Sequence, residues 1–95
     1  MDVNDFRNLA KIHRIMANET RLAIIWLIKE NSELTVGEIT SEIGLDQSTI
    51  SKHLSLMTSA QVTDYRKEGN KVYYRLIMPC ILDMLICSSS VLKKN

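Results

Sequence analysis

The sequence predicts a mainly helical fold that carries one small β-hairpin. Apolar residues recur at helical spacing over most of the 95 residues, which is typical of amphipathic helices. Residues 63–76 instead have β-forming side chains on both sides of a Glu-Gly-Asn turn, which is typical of a hairpin. Two of the helical segments are separated by little more than residues 44–45, so they meet at a tight turn. We expect residues 1–95 to form one domain, because a chain of this length fits a single small core.

The first two helices are predicted from their apolar faces. Asn18 is a suitable N-cap for the second helix, because its side chain can accept a hydrogen bond from a free backbone N–H group. Neither helix carries an obvious reactive group. The face of the first helix comprises Phe6, Leu9, Ala10, His13 and Met16, and that of the second comprises Leu22, Ile24, Ile25, Leu27 and Ile28.

The third helix is predicted to begin at about Thr35. Thr35 and Glu38 have the T-x-x-E spacing of a capping box, in which both side chains accept hydrogen bonds from backbone N–H groups at a helix start. Gly44 follows the helix, at a place that favours a residue tolerant of positive φ. The apolar stripe of this helix is Val36, Ile39 and Ile43.

The fourth helix has Asp46 as its expected N-cap. Its apolar stripe is Ile50, Leu54 and Met57. Its outward residues are hydrogen-bonding groups, namely Gln47, Ser48, Thr49, Ser51, Lys52 and His53. Gln can pair with adenine, Ser and Thr with several base edges, and Lys with phosphate, so this helix is a candidate for reading DNA in the major groove. An ordinary amphipathic surface helix has a similar polar face, so the neighbouring elements matter.

The hairpin provides the context for that helix. Its tip carries the cations Arg66, Lys67 and Lys71, which can contact phosphates or the adjacent minor groove. A helix-turn-helix followed by a basic hairpin is a winged helix, so the predicted fold class is a winged helix-turn-helix, mainly α with a small β-hairpin. The alternative is a winged-helix module whose fourth helix docks a protein partner instead of a DNA groove.

Three segments of the chain resemble the arsenic-repressor (ArsR/SmtB) family of winged-helix regulators. They are residues 16–22 (Met-Ala-Asn-Glu-Thr-Arg-Leu), residues 33–54 with Ser-Lys-His-Leu at their end, and residues 69–74 (Gly-Asn-Lys-Val-Tyr-Tyr). The resemblance implies a homodimeric transcriptional repressor that binds double-stranded operator DNA and pairs its subunits through the first and last helices. Two recognition helices would then lie roughly 34 Å apart on imperfectly palindromic operators.

The last helix is apolar on nearly every side, and Pro79 is expected in its first turn. Such a helix must be covered on more than one side. We expect its outer face to form a two-fold dimer interface together with the Phe6 and Leu9 face of the first helix. The alternative is a helix that only covers the domain core. Its apolar residues are Ile81, Leu82, Met84, Leu85, Ile86, Val91 and Leu92.

Cys80 and Cys87 are the two cysteines of the chain, and both are placed in the last helix. Their spacing corresponds to about 10.5 Å of helical rise, too far for one helix to chelate one ion or to close a disulfide, whose Cα separation rarely exceeds about 6.8 Å. If two last helices pack antiparallel in a dimer, Cys80 would approach the partner's Cys87. Such thiolates would suit As(III) or another thiophilic metal ion, or a reversible disulfide. The alternative is that both cysteines are small hydrophobic residues that sense nothing, with no cofactor.

The chain departs from the arsenic-repressor pattern in its sensory residues. It has residues 35–37 where some members carry a Cys-x-Cys pair, no cysteine on the second helix and no histidine beside Asp83. We therefore do not expect the sites by which those members sense arsenic or cadmium, a redox or persulfide signal, or zinc. His53 is expected to face DNA or to act as a capping group, and not to bind a metal. Gln61 stands where the family usually has Gly before the wing, so we expect it in a left-handed conformation.

Composition excludes several other functions. With a net charge of only +1, DNA affinity must come from local cations and not from the field of the whole molecule. Three glycines and two histidines provide no recognisable phosphate loop, activated nucleophile or ligand set, so an enzyme is not expected. No apolar run reaches the roughly 18 residues of a membrane span, and the N-terminus lacks a signal-peptide pattern. We therefore expect a cytoplasmic protein with reduced thiols.

Overall fold

The computed structural model describes residues 1–94. Five α-helices and three β-strands lie within that range. In chain order they are α1 (Val3–Met16), α2 (Glu19–Asn31), β1 (Leu34–Thr35), α3 (Val36–Ile43), α4 (Gln47–Ser59), β2 (Thr63–Glu68), β3 (Lys71–Leu76) and α5 (Ile81–Lys93). Helices α3 and α4 form the predicted helix-turn-helix, and β2 with β3 forms the predicted hairpin.

The predicted helix starts are confirmed by side-chain caps. Asn18 Oδ1 accepts a hydrogen bond from the Arg21 N–H at 3.1 Å. In the capping box of α3, the Glu38 N–H donates to Thr35 Oγ1 at 3.2 Å and the Thr35 N–H donates to Glu38 Oε1 at 2.9 Å. The hydrogen bonds from Thr35 lower the pKa of the Glu38 carboxyl. The carboxylate that caps the helix is therefore ionised at neutral pH.

Left-handed residues end both helices of the helix-turn-helix. Gly44 ends α3 with a φ of 85°, as predicted. Gln61 follows α4 with a φ of 63°, which confirms the expected left-handed conformation. The Gln61 N–H donates to the Thr58 carbonyl at 3.0 Å and the Val62 N–H to the Met57 carbonyl at 2.9 Å, the two hydrogen bonds of a Schellman motif. A tight turn therefore joins α4 to the wing.

The wing belongs to a three-stranded antiparallel sheet with the order β1-β3-β2. The sequence pattern predicts the hairpin but not β1, in which Leu34 lies opposite Tyr74 and Thr35 lies opposite Tyr73. Two residues are too few to show the alternating pattern that predicts a strand. Strand β1 is therefore recognisable only when β3 lies beside it.

The hairpin turn consists of Gly69 and Asn70, because Glu68 pairs with Lys71. Gly69 has a φ of 61°, whereas Asn70 is not among the described residues with positive φ. A positive φ at the first turn residue only is the type II′ pattern, which favours glycine at that position. The turn therefore matches the twist of the two strands that it connects.

The core is formed mainly by α2, α3, α4 and the residues that lead into the sheet. Its buried apolar residues, among those that the structure describes, are Ile24, Ile25, Ile28, Leu34, Ile39, Ile50, Leu54, Met57, Val62 and Leu82. The stripes predicted for α3 and α4 are confirmed, since all their members are buried or partly buried. No residue of α1 is buried along its described length, and α5 contributes Leu82 to the core. The terminal helices therefore leave much of their apolar surface exposed.

The start of α5 differs from the prediction. Pro79 was expected in the first turn of the helix, but the helix begins at Ile81. The Ile81 N–H donates to the Met78 carbonyl at 3.2 Å, so Pro79 occupies the second position of a turn, where its fixed φ is also favourable.

As for membrane insertion, each helix within residues 1–94 lacks the length and apolar character needed to span a bilayer.

Candidate nucleic-acid interface

Helix α4 presents the polar residues of the helix-turn-helix. Gln47, Ser48 and Lys52 are exposed, whereas Thr49 and Ser51 are partly buried. The opposite stripe of the helix is buried in the core, so apolar packing holds α4 in place. The exposed side chains lie in the N-terminal half of α4, which is the end that reaches base edges in helix-turn-helix proteins.

Asp46 organises the first turn of α4. Its Oδ1 accepts a hydrogen bond from the Thr49 N–H at 3.1 Å, and its Oδ2 accepts one from Ser48 Oγ at 3.2 Å. The hydrogen bonds from Thr49, followed by that from Ser48, lower the pKa of this carboxyl. Because the Ser48 hydroxyl proton is directed to Asp46, the Ser48 oxygen keeps its lone pairs as acceptors for another donor.

His53 does not take the outward position expected for it. Its ring is partly buried, and Nδ1 accepts a hydrogen bond from Arg21 Nε of α2 at 3.1 Å. The sequence of α4 does not reveal this contact, because the charged donor comes from α2. Burial, followed by the charge of Arg21, lowers the pKa of His53. The ring is therefore neutral at physiological pH.

Arg66 is held by side chains of its own domain and is not a free cation at the tip of the wing. Its Nε and Nη2 donate to the two carboxylate oxygens of Glu33 at 3.0 and 2.6 Å, and its Nη1 donates to Glu68 at 2.7 Å. The guanidinium carbon also lies 4.5 Å from the centroid of the Tyr73 ring. Hydrogen bonding lowers the pKa of Glu33 and raises that of Arg66. Two carboxylates thus neutralise this cation, which ties β2 to the residue preceding β1.

Lys67 and Lys71 are exposed cations near the tip of the wing. Neither forms an ion pair with another residue in the described part of the chain. Directly opposed residues of an antiparallel pair share a face of the sheet, and neighbours along a strand alternate between faces. Since Lys67 lies opposite Val72 and Lys71 opposite Glu68, the two lysines project from opposite faces of the hairpin.

A partly buried hydrogen bond joins the end of α4 to the start of the wing. Thr58 Oγ1 and Thr63 Oγ1 lie 3.0 Å apart, and Thr63 is fully buried. A buried hydroxyl without a partner would be unfavourable, so this contact stabilises the approach of the two elements. Together with the turn at Gln61, it fixes the wing relative to the fourth helix.

Glu33, Tyr73 and Arg21 shape this site but do not stand out in the sequence. Glu33 and Tyr73 contact Arg66 because the sheet places the three strands side by side, and no local pattern reveals such a contact. The position of Arg21 in the sequence is a weak indication of its contact. This residue is a cation in the first turn of α2, where the helix dipole opposes it, so a stabilising contact elsewhere could have been inferred.

The two cysteines lie outside the helix-turn-helix. Both are free and exposed, with Cys80 at the N-cap position of α5 and Cys87 within that helix. Within residues 1–94, no three side chains of His, Cys, Asp or Glu come together in a way that could hold a metal ion.

The helix-turn-helix, the capped N-terminal end of α4 and the lysine-flanked wing define a winged-helix protein of the transcriptional-regulator class. A family model described as a helix-turn-helix domain matches residues 16–66. The transcriptional activator HlyU of Vibrio cholerae is 41% identical over 63 residues, which cover 66% of this chain and 57% of that protein. The arsenical resistance operon repressor of Escherichia coli is 38% identical over 66 residues, which cover 70% and 56%. The solved structure of Vibrio cholerae HlyU has a TM-score of 0.80 at 32% identity and covers 96% of this chain and 97% of that chain.

The chain belongs to the arsenic-repressor (ArsR/SmtB) family of winged-helix transcriptional regulators. This confirms the resemblance carried by residues 16–22, 33–54 and 69–74. The named relatives are transcriptional regulators and not enzymes. The chain spans a little over half the length of the HlyU and arsenical-repressor sequences that it matches.

Proposed function

We propose that this protein is a homodimeric transcriptional repressor that binds palindromic operator DNA through α4 and the β2–β3 wing. The exposed polar end of α4 is the observation that supports the proposal most directly, since Gln47, Ser48 and Lys52 stand clear of the core on a capped helix. Neutral hydrogen-bonding groups beside a cation suit base readout combined with a phosphate contact. A net charge of +1 argues against a binder that relies on charge alone.

The proposed contacts divide into base readout and phosphate binding. The residues proposed to face base edges in the major groove are Gln47, Ser48, Thr49 and Ser51. The residues proposed to bind phosphates are Lys52, Lys67 and Lys71. Arg66 was predicted to contact phosphate, but we propose a different role for it because Glu33 and Glu68 already neutralise its charge. It holds the wing in the position from which the lysines would reach DNA.

The proposed dimer buries the apolar faces that α1 and α5 leave exposed. Phe6 of α1 is 57% exposed, and Met84 and Leu92 of α5 are 62% and 73% exposed. Large apolar side chains that remain exposed on two helices of one domain suggest an interaction surface. A second copy of the chain suits this surface, because a two-fold axis pairs identical faces and would place the two α4 helices roughly 34 Å apart, on successive turns of DNA.

Lys52→Gln is expected to weaken DNA binding and to make it less sensitive to salt. Each phosphate contact contributes about 0.9 to the slope of log affinity against log salt, so a dimer that loses two contacts should lose about 1.8 from that slope. The measurement is a fluorescence anisotropy titration at several salt concentrations. The probe is a duplex that the unchanged protein selects from a random-sequence pool.

Lys29→Gln is the matched control. It removes the same charge from an exposed position on α2, where the ammonium lies 5.8 Å from the centroid of the Trp26 ring. It should leave the salt slope unchanged. Equal slopes for the two variants would contradict a specific role for Lys52. Failure to select any duplex would favour a module that docks a protein partner.

We also propose that the signal acts at Cys80 and Cys87, paired between the two α5 helices of the dimer. Both thiols are exposed in the single chain, and they lie on the helix that carries the exposed apolar face. Thiolates are soft ligands that suit As(III) and other thiophilic ions, and one relative is named an arsenical resistance repressor. A cytoplasmic location would keep both thiols reduced until the signal arrives. The signal would release DNA if it favours a dimer geometry that DNA disfavours.

Arsenite is expected to lower the operator affinity of the reduced dimer by roughly 5- to 150-fold, the usual range of allosteric coupling. Cys80→Ser and Cys87→Ser should each abolish this response, because serine has a similar size but is not a soft ligand. Parallel titrations with cadmium and with a mild oxidant separate ion binding from disulfide formation. A response that survives either substitution would exclude the paired-thiol site. DNA binding that ignores every agent would make both cysteines structural.

A further inference from the structure

The Arg21 side chain connects three helices. Its Nε donates to His53 Nδ1 of α4 at 3.1 Å, and its Nη1 donates to the Ile15 carbonyl oxygen near the end of α1 at 2.9 Å. Its backbone N–H is bound by Asn18, the N-cap of α2. Arg21 and His53 are both partly buried. One side chain therefore contacts both the helix proposed for dimerisation and the helix proposed to read DNA.

The position of Arg21 in the fold accounts for these contacts. It lies in the first turn of α2, where the helix dipole opposes a cation. Its guanidinium instead reaches the last turn of α1, where carbonyl groups lack intrahelical partners and a cation is favoured. Because the guanidinium is planar and rigid, its two contacts fix the direction from Ile15 to His53. A lysine is a flexible point charge and would not hold both partners in the same geometry.

His53 can accept this hydrogen bond only while its Nδ1 carries no proton. The neutral ring must then be the tautomer with its hydrogen on Nε2. Arg21 is the charged group that faces the ring from α2, and the adjacent charged residue on α4, Lys52, is exposed. A second proton, placed on Nδ1, would turn this acceptor into a donor that faces the Nε–H donor of Arg21. It would also place a positively charged imidazolium beside the guanidinium. Protonation of His53 is therefore incompatible with the contact.

We propose that Arg21 is a positioning residue that sets the angle of α4 relative to α1, and that protonation of His53 releases this link and weakens operator binding. The proposal rests on the dimeric operator binder proposed above. In such a dimer a link from α1 to α4 fixes the separation of the two α4 helices. A change of angle repeated in both subunits would move these helices out of register with successive turns of DNA.

The direction of the pH effect follows from the lowered pKa of His53. A histidine free of this link takes up its proton at about pH 6.5, whereas burial and the Arg21 charge delay protonation of the linked ring to lower pH. The link is therefore complete above about pH 6.5 and is lost as the pH falls through the lowered pKa of the folded ring. Over the same window the free energy of unfolding should decrease.

The test compares operator affinity at about pH 8 and at about pH 5, the second well below the ordinary histidine pKa of about 6.5 because the pKa of the linked ring is lowered. For the unchanged dimer we expect a fall in affinity of roughly tenfold between the two pH values, within the usual range of coupling. His53→Leu removes the acceptor and should show a loss of similar size at both pH values. His53→Gln is the conservative rescue, because its amide oxygen can accept from Arg21 at either pH. It should bind more tightly than His53→Leu and show no fall at low pH.

Further measurements separate failure of this proposal from failure of the proposed function. If the unchanged protein selects no duplex, operator binding fails, and the link is still tested by nitrogen NMR of the His53 ring in the DNA-free protein. Nδ1 should be the unprotonated nitrogen at about pH 8, and a proton found there would overturn the proposal. The proposal is also overturned if the unchanged dimer shows the flat pH profile of His53→Gln, or if His53→Gln binds no better than His53→Leu. Sedimentation and thermal unfolding verify that each variant is a folded dimer.

Discussion

Met84→Glu is expected to convert the proposed dimer into folded monomers and to lower operator affinity by roughly 10²- to 10⁴-fold, the loss that follows when two linked binding modules are separated. Met84 lies on α5 and is 62% exposed in the single chain, so a glutamate at this position meets water in the monomer. In the dimer the same carboxylate would be buried against a second apolar surface without a partner, which is strongly unfavourable. The substitution therefore acts on assembly and not on the fold.

Sedimentation velocity measures the assembly state, and anisotropy titration with the selected duplex measures the affinity. Ile77→Glu is the control, because Ile77 is 49% exposed but follows β3 and lies on neither terminal helix. It should stay dimeric and bind DNA normally. If Met84→Glu stays dimeric, the interface lies elsewhere. If it becomes a monomer that binds as tightly as before, the dimer has no part in operator binding.

Leu54→Ala is expected to lower the free energy of unfolding by about 2–5 kcal/mol. Leu54 is fully buried on α4, so the shorter side chain loses apolar burial and leaves a cavity that the core fills only in part. Domains have a total stability of about 5–15 kcal/mol, so the expected loss is a large share of it. Because Leu54 anchors the helix that carries Gln47 and Lys52, DNA binding should fail at a lower temperature than in the unchanged protein.

Leu56→Ala makes the same change on the same helix, at a side chain that is 44% exposed. Surface substitutions usually change stability by no more than about 0.5 kcal/mol, so the pair separates the effect of burial from that of helix propensity. Urea titrations at one fixed protein concentration provide the measurement, because the stability of a dimer depends on concentration. Equal destabilisation of the two variants would contradict the core described for α4.

The helix boundaries that could be predicted are those with local causes. Thr35 accepts from Glu38 within the first turn of α3, and Asp46 accepts from Thr49 within the first turn of α4. Each of these contacts joins residues only a few positions apart, so the sequence displays both partners together. The left-handed conformation of Gln61 was instead expected from the family resemblance, because Gln61 stands where the family usually has glycine.

Two features of the fold could not be predicted. One depends on a distant part of the chain, and the other on a residue that suits two kinds of local structure. Strand β1 exists because Leu34 and Thr35 pair with β3, which lies much further along the chain. Pro79 favours a turn as well as the first turn of a helix, and the sequence does not distinguish the two. The structure places it in the turn before α5.

The sequence predicts which residues belong to the candidate site, but not which of them form hydrogen bonds or ion pairs within the domain. The outward residues of α4 follow from its helical period, and Lys67 and Lys71 follow from the hairpin pattern. Arg66 and His53 were expected to contact DNA on the same grounds. Their partners are Glu33 and Arg21, which lie 33 and 32 positions away in the chain. No local pattern indicates that these partners are within hydrogen-bonding distance.

The sequence by itself determined the winged helix-turn-helix fold, because periodicity, caps and turn residues act over a few positions. Its resemblance to the arsenic-repressor family is carried by residues 16–22, 33–54 and 69–74. Only the tertiary structure decided which of the polar groups on that frame are available. It neutralises Arg66 with two carboxylates, turns His53 toward Arg21 and leaves the wing lysines without ion-pair partners in the described chain. The physical reason is that hydrogen bonds and ion pairs require heavy atoms to come within about 3 Å of each other, and packing, not spacing along the chain, decides which groups do so.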